Sequence, residues 1–240
     1  MKNVLLIDSG SGGLNILKEC VKVVPYCNFL FFCDNKNLPY GNKTKEELEK
    51  ITIENLKMIY DFFKFDIVVL ACNTLTCTCI EKCRHTFPDK IFVGTVPAIK
   101  PALNEFEEKD ILVLATKATI EHNVLLGKTK YAKRRSMPTL AEDIDKNLDN
   151  LGVLKEKLKA ELVCEKCKAL VLGCTHYIAL KNVFLEIFGD DIKIFDSANG
   201  VARRLKSLVE TDEKENAFQV QIMVSGDENF VSKLWWYYNS

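Results

Sequence analysis

The chain lacks any apolar run long enough to cross a membrane. Its longest stretches, such as Ile67 to Cys72, fall far below the roughly 18 residues that a span requires. It also lacks net charge, because Lys+Arg and Asp+Glu each number 33. That balance gives no support to a generic basic surface for nucleic acid and leaves room only for a local patch. No low-complexity tract and no Pro/Ser linker divides it. The opening Met-Lys-Asn is followed by only four apolar residues before Asp8, too short an apolar region for a secretory signal. A cytoplasmic protein is therefore expected, with its ten cysteines as free thiols, metal ligands or catalytic groups rather than disulfides.

What is present is an ordinary globular composition. The 240 residues are 48% hydrophobic and 28% charged, enough to bury a sizeable core in one large α/β domain or two modest lobes. Short continuous apolar runs alternate with amphipathic stretches. Val4 to Ile7, Phe29 to Cys33, Ile67 to Ala71, Ile91 to Val93, Ile111 to Ala115, Ala169 to Leu172 and Ile192 to Phe195 read as buried strands. Continuous rather than alternating hydrophobicity predicts strands covered on both faces, as in parallel sheets. Helices are expected over Thr44 to Phe63, with Leu48, Ile51, Asn55 and Met58 on one face, and over Val153 to Lys168. The fold class is α/β. A break in the pattern falls after Val93, at Gly94-Thr95-Val96-Pro97, and Lys128 to Arg135 reads as a basic, turn-like, solvated segment.

A faint internal repeat is visible. Asn3 to Ser9 resembles Asp110 to Thr116, a strand followed by a small hydroxyl residue. Val68 to Thr74 resembles Leu170 to His176, a strand followed by one small residue, a cysteine and two polar residues. Duplication explains a cysteine at the same offset in both.

Those two turns carry the chemistry. In a parallel sheet the carboxyl ends of strands and the following helix N-termini form binding sites. Cys72 and Cys174 both sit at such ends. Asn73, Thr74 and Thr175 are helix-capping, hydrogen-bonding types. Unpaired amides there suit a carboxylate ligand and are expected to lower a thiol's pKa toward neutrality. Two facing lobes, each with one thiol, fit racemisation. One face of a carbon needs a base and the other an acid, and reversal swaps the roles.

Other signals are weaker. Cys20, Cys27 and Cys33 read as small buried hydrophobes. Cys72, Cys77, Cys79 and Cys83 with His85 match no paired-knuckle spacing. Cys164-x-x-Cys167 falls in an expected helix without a partner pair, so no metal site is expected. Ser9-Gly10-Ser11-Gly12-Gly13 is neither of the full phosphate-loop patterns and equally serves to bring Asp8 and Ser9 to a small substrate. A nucleotide- or metal-binding module without turnover stands as an alternative from another class.

Taken in order, the motifs resemble those of glutamate racemases, in the cofactor-independent aspartate/glutamate racemase superfamily. They are Ile7 to Leu14, Asp34 with Leu38-Pro39-Tyr40-Gly41, Ala71 to Thr74, Val96 to Ala102, Leu114 to Thr119, Leu172 to Tyr177, Phe195 to Ser197 and Val224 to Asp227. The resemblance covers nearly the whole chain. It implies two pseudo-symmetric lobes, each a mostly parallel sheet flanked by helices, with the active site between them. Residues 1–94 with a returning segment 206–240 would form one lobe and 95–205 the other.

It implies Cys72 and Cys174 as paired acid/base groups, acting on the D- and L-isomer respectively, with Asp8 and His176 assisting. Asp8, Ser9, Tyr40, Gly41, Asn73, Thr74, Thr116, Thr119, Thr175 and His176 would hold the amino acid. The implied substrate is glutamate, with no cofactor, no nucleic-acid or membrane partner, and room for a homodimer. D-glutamate from the reaction would feed peptidoglycan synthesis. A relative acting on another acid such as aspartate, as racemase, isomerase or decarboxylase, is the alternative within the superfamily. Three positions depart from the family pattern: Ile178 for Pro, Met137 for Cys, and Asp145 for Glu. If that carboxylate supports the histidine, Asp145 is one methylene shorter.

Overall fold

The computed structural model describes residues 1–209 and 219–240. Residues 210–218, which fall in the returning segment expected in the first lobe, lie outside the described residues. Among the described residues, nine strands form two sheets: β1 (Asn3–Asp8), β2 (Asn28–Cys33), β3 (Ile67–Leu70), β4 (Ile91–Gly94), β5 (Ile111–Ala115), β6 (Lys133–Ser136), β7 (Ala169–Gly173), β8 (Lys193–Phe195) and β9 (Val220–Val224). The first sheet has the order β4-β3-β1-β2-β9 and the second β6-β5-β7-β8. All pairings among the described residues are parallel, for example Leu5 with Leu30 and Val68, and Val113 with Val171.

The continuous apolar runs have a direct cause. Successive side chains on a strand point to opposite faces. On β1, Val4 and Leu6 enter the core on one face, while Leu5 and Ile7 enter the core on the other. On β5, Leu112 and Leu114 face one layer, and Ile111, Val113 and Ala115 the other. Each such side chain contributes about 1.5–3 kcal/mol by leaving water, so neither face tolerates a polar residue.

The four strands β1 to β4 and the four strands β5 to β8 follow the same course. In each set the first strand is central, the second lies on one side, and the third and fourth lie on the other. The repeat read in the sequence thus has a topological counterpart. It places a switch point between β1 and β3 in one sheet and between β5 and β7 in the other.

The helix Lys45–Phe62 starts with a reciprocal capping box. Glu47 N donates to Thr44 Oγ1 at 3.2 Å, and Thr44 N to Glu47 Oε2 at 2.8 Å. Its buried face is Leu48, Thr52, Leu56 and Ile59, not the expected Leu48, Ile51, Asn55 and Met58. The stripe turns about one residue further, which leaves Met58 exposed and aims Asn55 at Asp34. The second expected helix is shorter, a 3-10 turn Leu151–Leu154 running into Lys155–Leu162, so Cys164 and Cys167 lie beyond its end. Cys20, Cys27 and Cys33 are fully buried in the first core.

Two strands were not expected. Part of the basic run Lys128 to Arg135 pairs with β5 as β6, with all four of its residues exposed. Charged side chains on an edge strand block further pairing, which is why composition disguises it as a surface turn. The other, β9, adds to the free edge of β2 through contacts nearly two hundred residues away. Ahead of it, the helix Ala198–Lys206 sends Ala198, Val201, Ala202 and Leu205 into the first core, beside the helix Gly13–Val23. The C-terminal helix Asn229–Asn239 adds Leu234 to that core.

Candidate active site

The loops after β1, β3, β5 and β7 meet across a closed crevice between the two lobes, bridged by Asp8 with Thr175 and by Thr74 with Thr116. Asp8 ends β1 and is fully buried. Ser9 N donates to Asp8 Oδ1 at 2.6 Å, and from the other lobe Thr175 Oγ1 donates to Asp8 Oδ2 at 2.9 Å. Burial nevertheless dominates and pushes the Asp8 pKa up to about 6, against the lowering influence of His176 and of these two donors.

Cys72 and Cys174 are each the residue before a helical turn, Asn73–Thr86 and Thr175–Leu180. They are 7% and 6% exposed. The backbone amides of Thr74 and Leu75, at the first turn of its helix, act to lower the Cys72 pKa. The expected lowering of its pKa is overturned, because burial and the Asp8 charge outweigh the amides and hold the thiol well above its ordinary value. Cys174 also adds to that rise.

His176 sits with Nδ1 3.7 Å from Cys174 Sγ and Nε2 3.4 Å from Asp145 Oδ2. Burial alone would lower its pKa. The Asp145 carboxylate, with help from Cys174, reverses this and holds the imidazole well above its ordinary value. The shorter carboxylate of Asp145 thus reaches ion-pair distance, but Nε2 lacks a hydrogen-bond partner of good geometry. Asp145 is itself held from the first lobe, by Ser11 N at 3.2 Å and by the Ser11 hydroxyl.

A hydroxyl cluster closes the other side of the crevice. Thr74 Oγ1 lies 2.9 Å from Thr116 Oγ1 and 3.5 Å from Thr119 Oγ1, and Thr116 caps its helix by accepting from Thr119 N. Gly41 reaches the same place. A Cβ there would sit 3.0 Å from the Thr116 Cβ, so the second motif loop abuts the opposite lobe. Tyr40 is buried behind it, and its hydroxyl donates to Asp34. Asn73 donates to Thr95 O at 3.3 Å, which leaves Asn73 Oδ1 as a buried acceptor without a partner.

The twelve expected residues therefore converge as follows. Asp8, Ser9, Thr175, His176 and Cys174 form one group, and Thr74, Thr116, Thr119 and Gly41 the other. Cys72 neighbours Asp8. Asn73 adjoins with a free acceptor, while the Tyr40 hydroxyl is committed to Asp34. Ser11 and Asn15 were not expected. Both contact the opposite lobe, Asn15 through Thr175 O at 3.0 Å, and only their place in and after the glycine loop hinted at it.

No family model matches the chain. The glutamate racemase of Clostridium novyi (strain NT) is 36% identical over 210 residues, covering 83% of this chain and 80% of that protein. The glutamate racemase of Clostridium perfringens (strain SM101 / Type A) is 32% identical over 237 residues, covering 95% and 89%. Among solved structures, Escherichia coli glutamate racemase in complex with L-glutamate and the activator UDP-MurNAc-ala superposes with a TM-score of 0.85 at 25% identity, covering 97% of this chain and 92% of that one. The enzyme of Campylobacter jejuni gives 0.83 at 25% identity, covering 99% and 98%.

Fold and relatives together define an amino-acid racemase, an isomerase built from two lobes of parallel α/β structure. Within that class, the chain belongs to the glutamate racemase family.

Proposed function

We propose that this chain interconverts L- and D-glutamate by two-base proton transfer between Cys72 and Cys174. The observation that carries this reading is the equivalence of the two cysteines. Each follows the third strand of one four-strand repeat, at a switch point, on its own side of one crevice.

In one direction the Cys72 thiolate takes the α-proton. The C–H bond breaks, an S–H bond forms, and the electron pair stays on carbon. Cys174 then gives its proton to the opposite face and becomes the thiolate. The reverse reaction exchanges the two roles. No electron pair leaves the amino acid, so the step balances without a cofactor.

Burial, with the Asp8 charge, holds Cys72 protonated in this structure. An incoming ammonium group would reverse that balance, because a cation beside a thiol favours the thiolate. Asn73 Oδ1 is a buried acceptor free to take such an ammonium, together with the Asp8 carboxylate. Ser9, Thr74, Thr116, Thr119, Thr175 and the Tyr40-Gly41 loop would hold the carboxylates, and His176 would tune the Cys174 proton. The hydroxyl contacts across the crevice must part to admit substrate, so lobe motion is expected to gate turnover.

The expected boundary at 205/206 moves to about 197, because the helix Ala198–Lys206 packs into the first core; in this reading the two moving parts are 1–94 with the described residues from Ala198 onward, and 95–197. A cytoplasmic site of action, D-glutamate supply for peptidoglycan and a homodimer belong to the same proposal. Among the described residues, no helix is long and apolar enough to cross a membrane.

The test is chiral chromatography of L- and D-glutamate incubated with purified protein in deuterated water. Either enantiomer should approach an equal mixture, with deuterium at the α-carbon. Unchanged glutamate, or racemisation of aspartate in its place, would overturn the assignment.

A further inference from the structure

We infer that Asn15 is a positioning residue for the Cys174-Thr175-His176 turn, aligned from behind by Tyr237 of the C-terminal helix. The inference rests on the two-thiol reading above and adds a residue that touches neither sulfur.

Asn15 lies on the helix that follows the glycine loop. Its Nδ2 donates to Gly12 O at 3.2 Å in its own lobe and to Thr175 O at 3.0 Å in the other. Its Oδ1 accepts from Tyr237 Oη at 2.7 Å. This orientation is the only one the partners permit. Two carbonyls can only accept, so the amide nitrogen must face them, and the oxygen is left for the hydroxyl. Tyr237 is fixed in turn. Lys18 Nζ donates to Tyr237 O at 2.7 Å and lies 4.6 Å from its ring centroid. The ring packs against the cores of both lobes.

Thr175 is thereby held on two sides. Its hydroxyl reaches forward to Asp8, and its carbonyl is held from behind by Asn15. Cys174 and His176 flank it in sequence, so the backbone that Asn15 grips aims both. Asn15, Lys18, Ile178 and Lys181 also help to line a cavity of about 260 Å³ on the far side of this grip. A displacement of the turn moves the Cys174 proton relative to the α-carbon, and such misplacement is costly to proton transfer.

The experiment compares the wild-type chain with Asn15→Ala, Asn15→Asp and Tyr237→Phe in racemisation of α-protonated and α-deuterated D- and L-glutamate. Asn15→Asp keeps the acceptor for Tyr237 and loses both donors, while Tyr237→Phe keeps the ring. We expect kcat/KM to fall about tenfold in both Asn15 variants and about threefold in Tyr237→Phe, with kcat carrying most of the loss.

A second readout separates positioning from general loosening. If only the transfer at Cys174 slows, the primary isotope effect grows for the enantiomer that Cys174 deprotonates and shrinks for the other. A loosened fold would move both alike. Asymmetric isotope effects support the inference. Unchanged kinetics, or isotope effects that change equally in both directions, overturn it while leaving the two-thiol reading intact. A wild-type chain that does not racemise glutamate overturns both. Tyr237→Phe retains the test if the Asn15 variants fail to fold.

Discussion

The Thr175 hydroxyl donates to the Asp8 carboxylate at 2.9 Å, from one lobe to the other. This bond ties the strand end that carries Cys174 to the strand end beside Cys72. Asp8 is fully buried, and its pKa stands at about 6 rather than 3.8, chiefly because of that burial.

A pH dependence of stability follows from Asp8. Between pH 3.8 and about 6 the folded chain keeps a proton that the unfolded chain has released. Stability therefore falls as pH rises through this window, by on the order of 3 kcal/mol for this group. Asp8→Asn lacks the titration. Urea unfolding of both proteins at pH 4 and pH 7 should show the wild type losing that much relative to the variant. An equal difference at both pH values would show that Asp8 is not raised.

The paired thiols lead to a second expectation. Cys72→Ser and Cys174→Ser should each lower turnover by about a thousandfold, the scale of a lost acid/base group. Serine is smaller than cysteine, and both positions border the crevice, so circular dichroism and thermal unfolding should stay near the wild type. Near-normal kinetics in either variant would falsify the two-base assignment.

His176 and Asp145 make a third case. With the carboxylate present, the imidazole is held protonated well above its ordinary range. In Asp145→Asn burial outweighs the smaller help from Cys174, so the imidazole should lose its proton at pH 7, visible in its nitrogen chemical shifts. The buried pair also accounts for stability, and removing one partner costs about 3 kcal/mol, including the Ser11 contacts. That loss should be fullest below pH 6.5 and should shrink as pH rises through the folded pKa of His176. Retention of an imidazolium in Asp145→Asn would mean that another group holds the charge.

Much of this arrangement was legible in the sequence because its causes are local. Runs such as Val4 to Ile7 and Ile111 to Ala115 are apolar on both strand faces, and that pattern needs no partner to be recognised. The two cysteine turns were legible because duplication placed them at the same offset after matching strands. What was hidden depends on docking. Ser11 to Asp145 spans 134 positions and Asn15 to Thr175 spans 160, and neither contact exists until the lobes meet. The Cys72 pKa departs from the sequence expectation for the same reason. The helix amides are local and foreseeable, whereas the burial and the Asp8 charge that outweigh them arise only in the assembled crevice. The charged strand β6 was masked by its own edge position.

Two glycines, Gly12 and Gly200, differ in what a side chain there would meet. A Cβ on Gly12 would lie 2.5 Å from His176 N and Nδ1 and 2.7 Å from Thr175 Oγ1. One of these is backbone and cannot rotate away, so Gly12→Ala must prise the lobes apart where the Cys174 turn meets the glycine loop. Overpacking of this kind costs about 1–3 kcal/mol, and the displaced turn should lower kcat/KM by more than about tenfold. Gly200 offers the contrast. It lies on the helix Ala198–Lys206, and a Cβ there meets nothing within 4 Å. Gly200→Ala should therefore stabilise the chain by about 0.5–1 kcal/mol through helix propensity alone, with kinetics unchanged. Thermal unfolding and racemisation assays on the two variants check both halves. If Gly12→Ala racemises glutamate as fast as Gly200→Ala, the lobes do not need this close approach to bring the two sulfurs to one carbon.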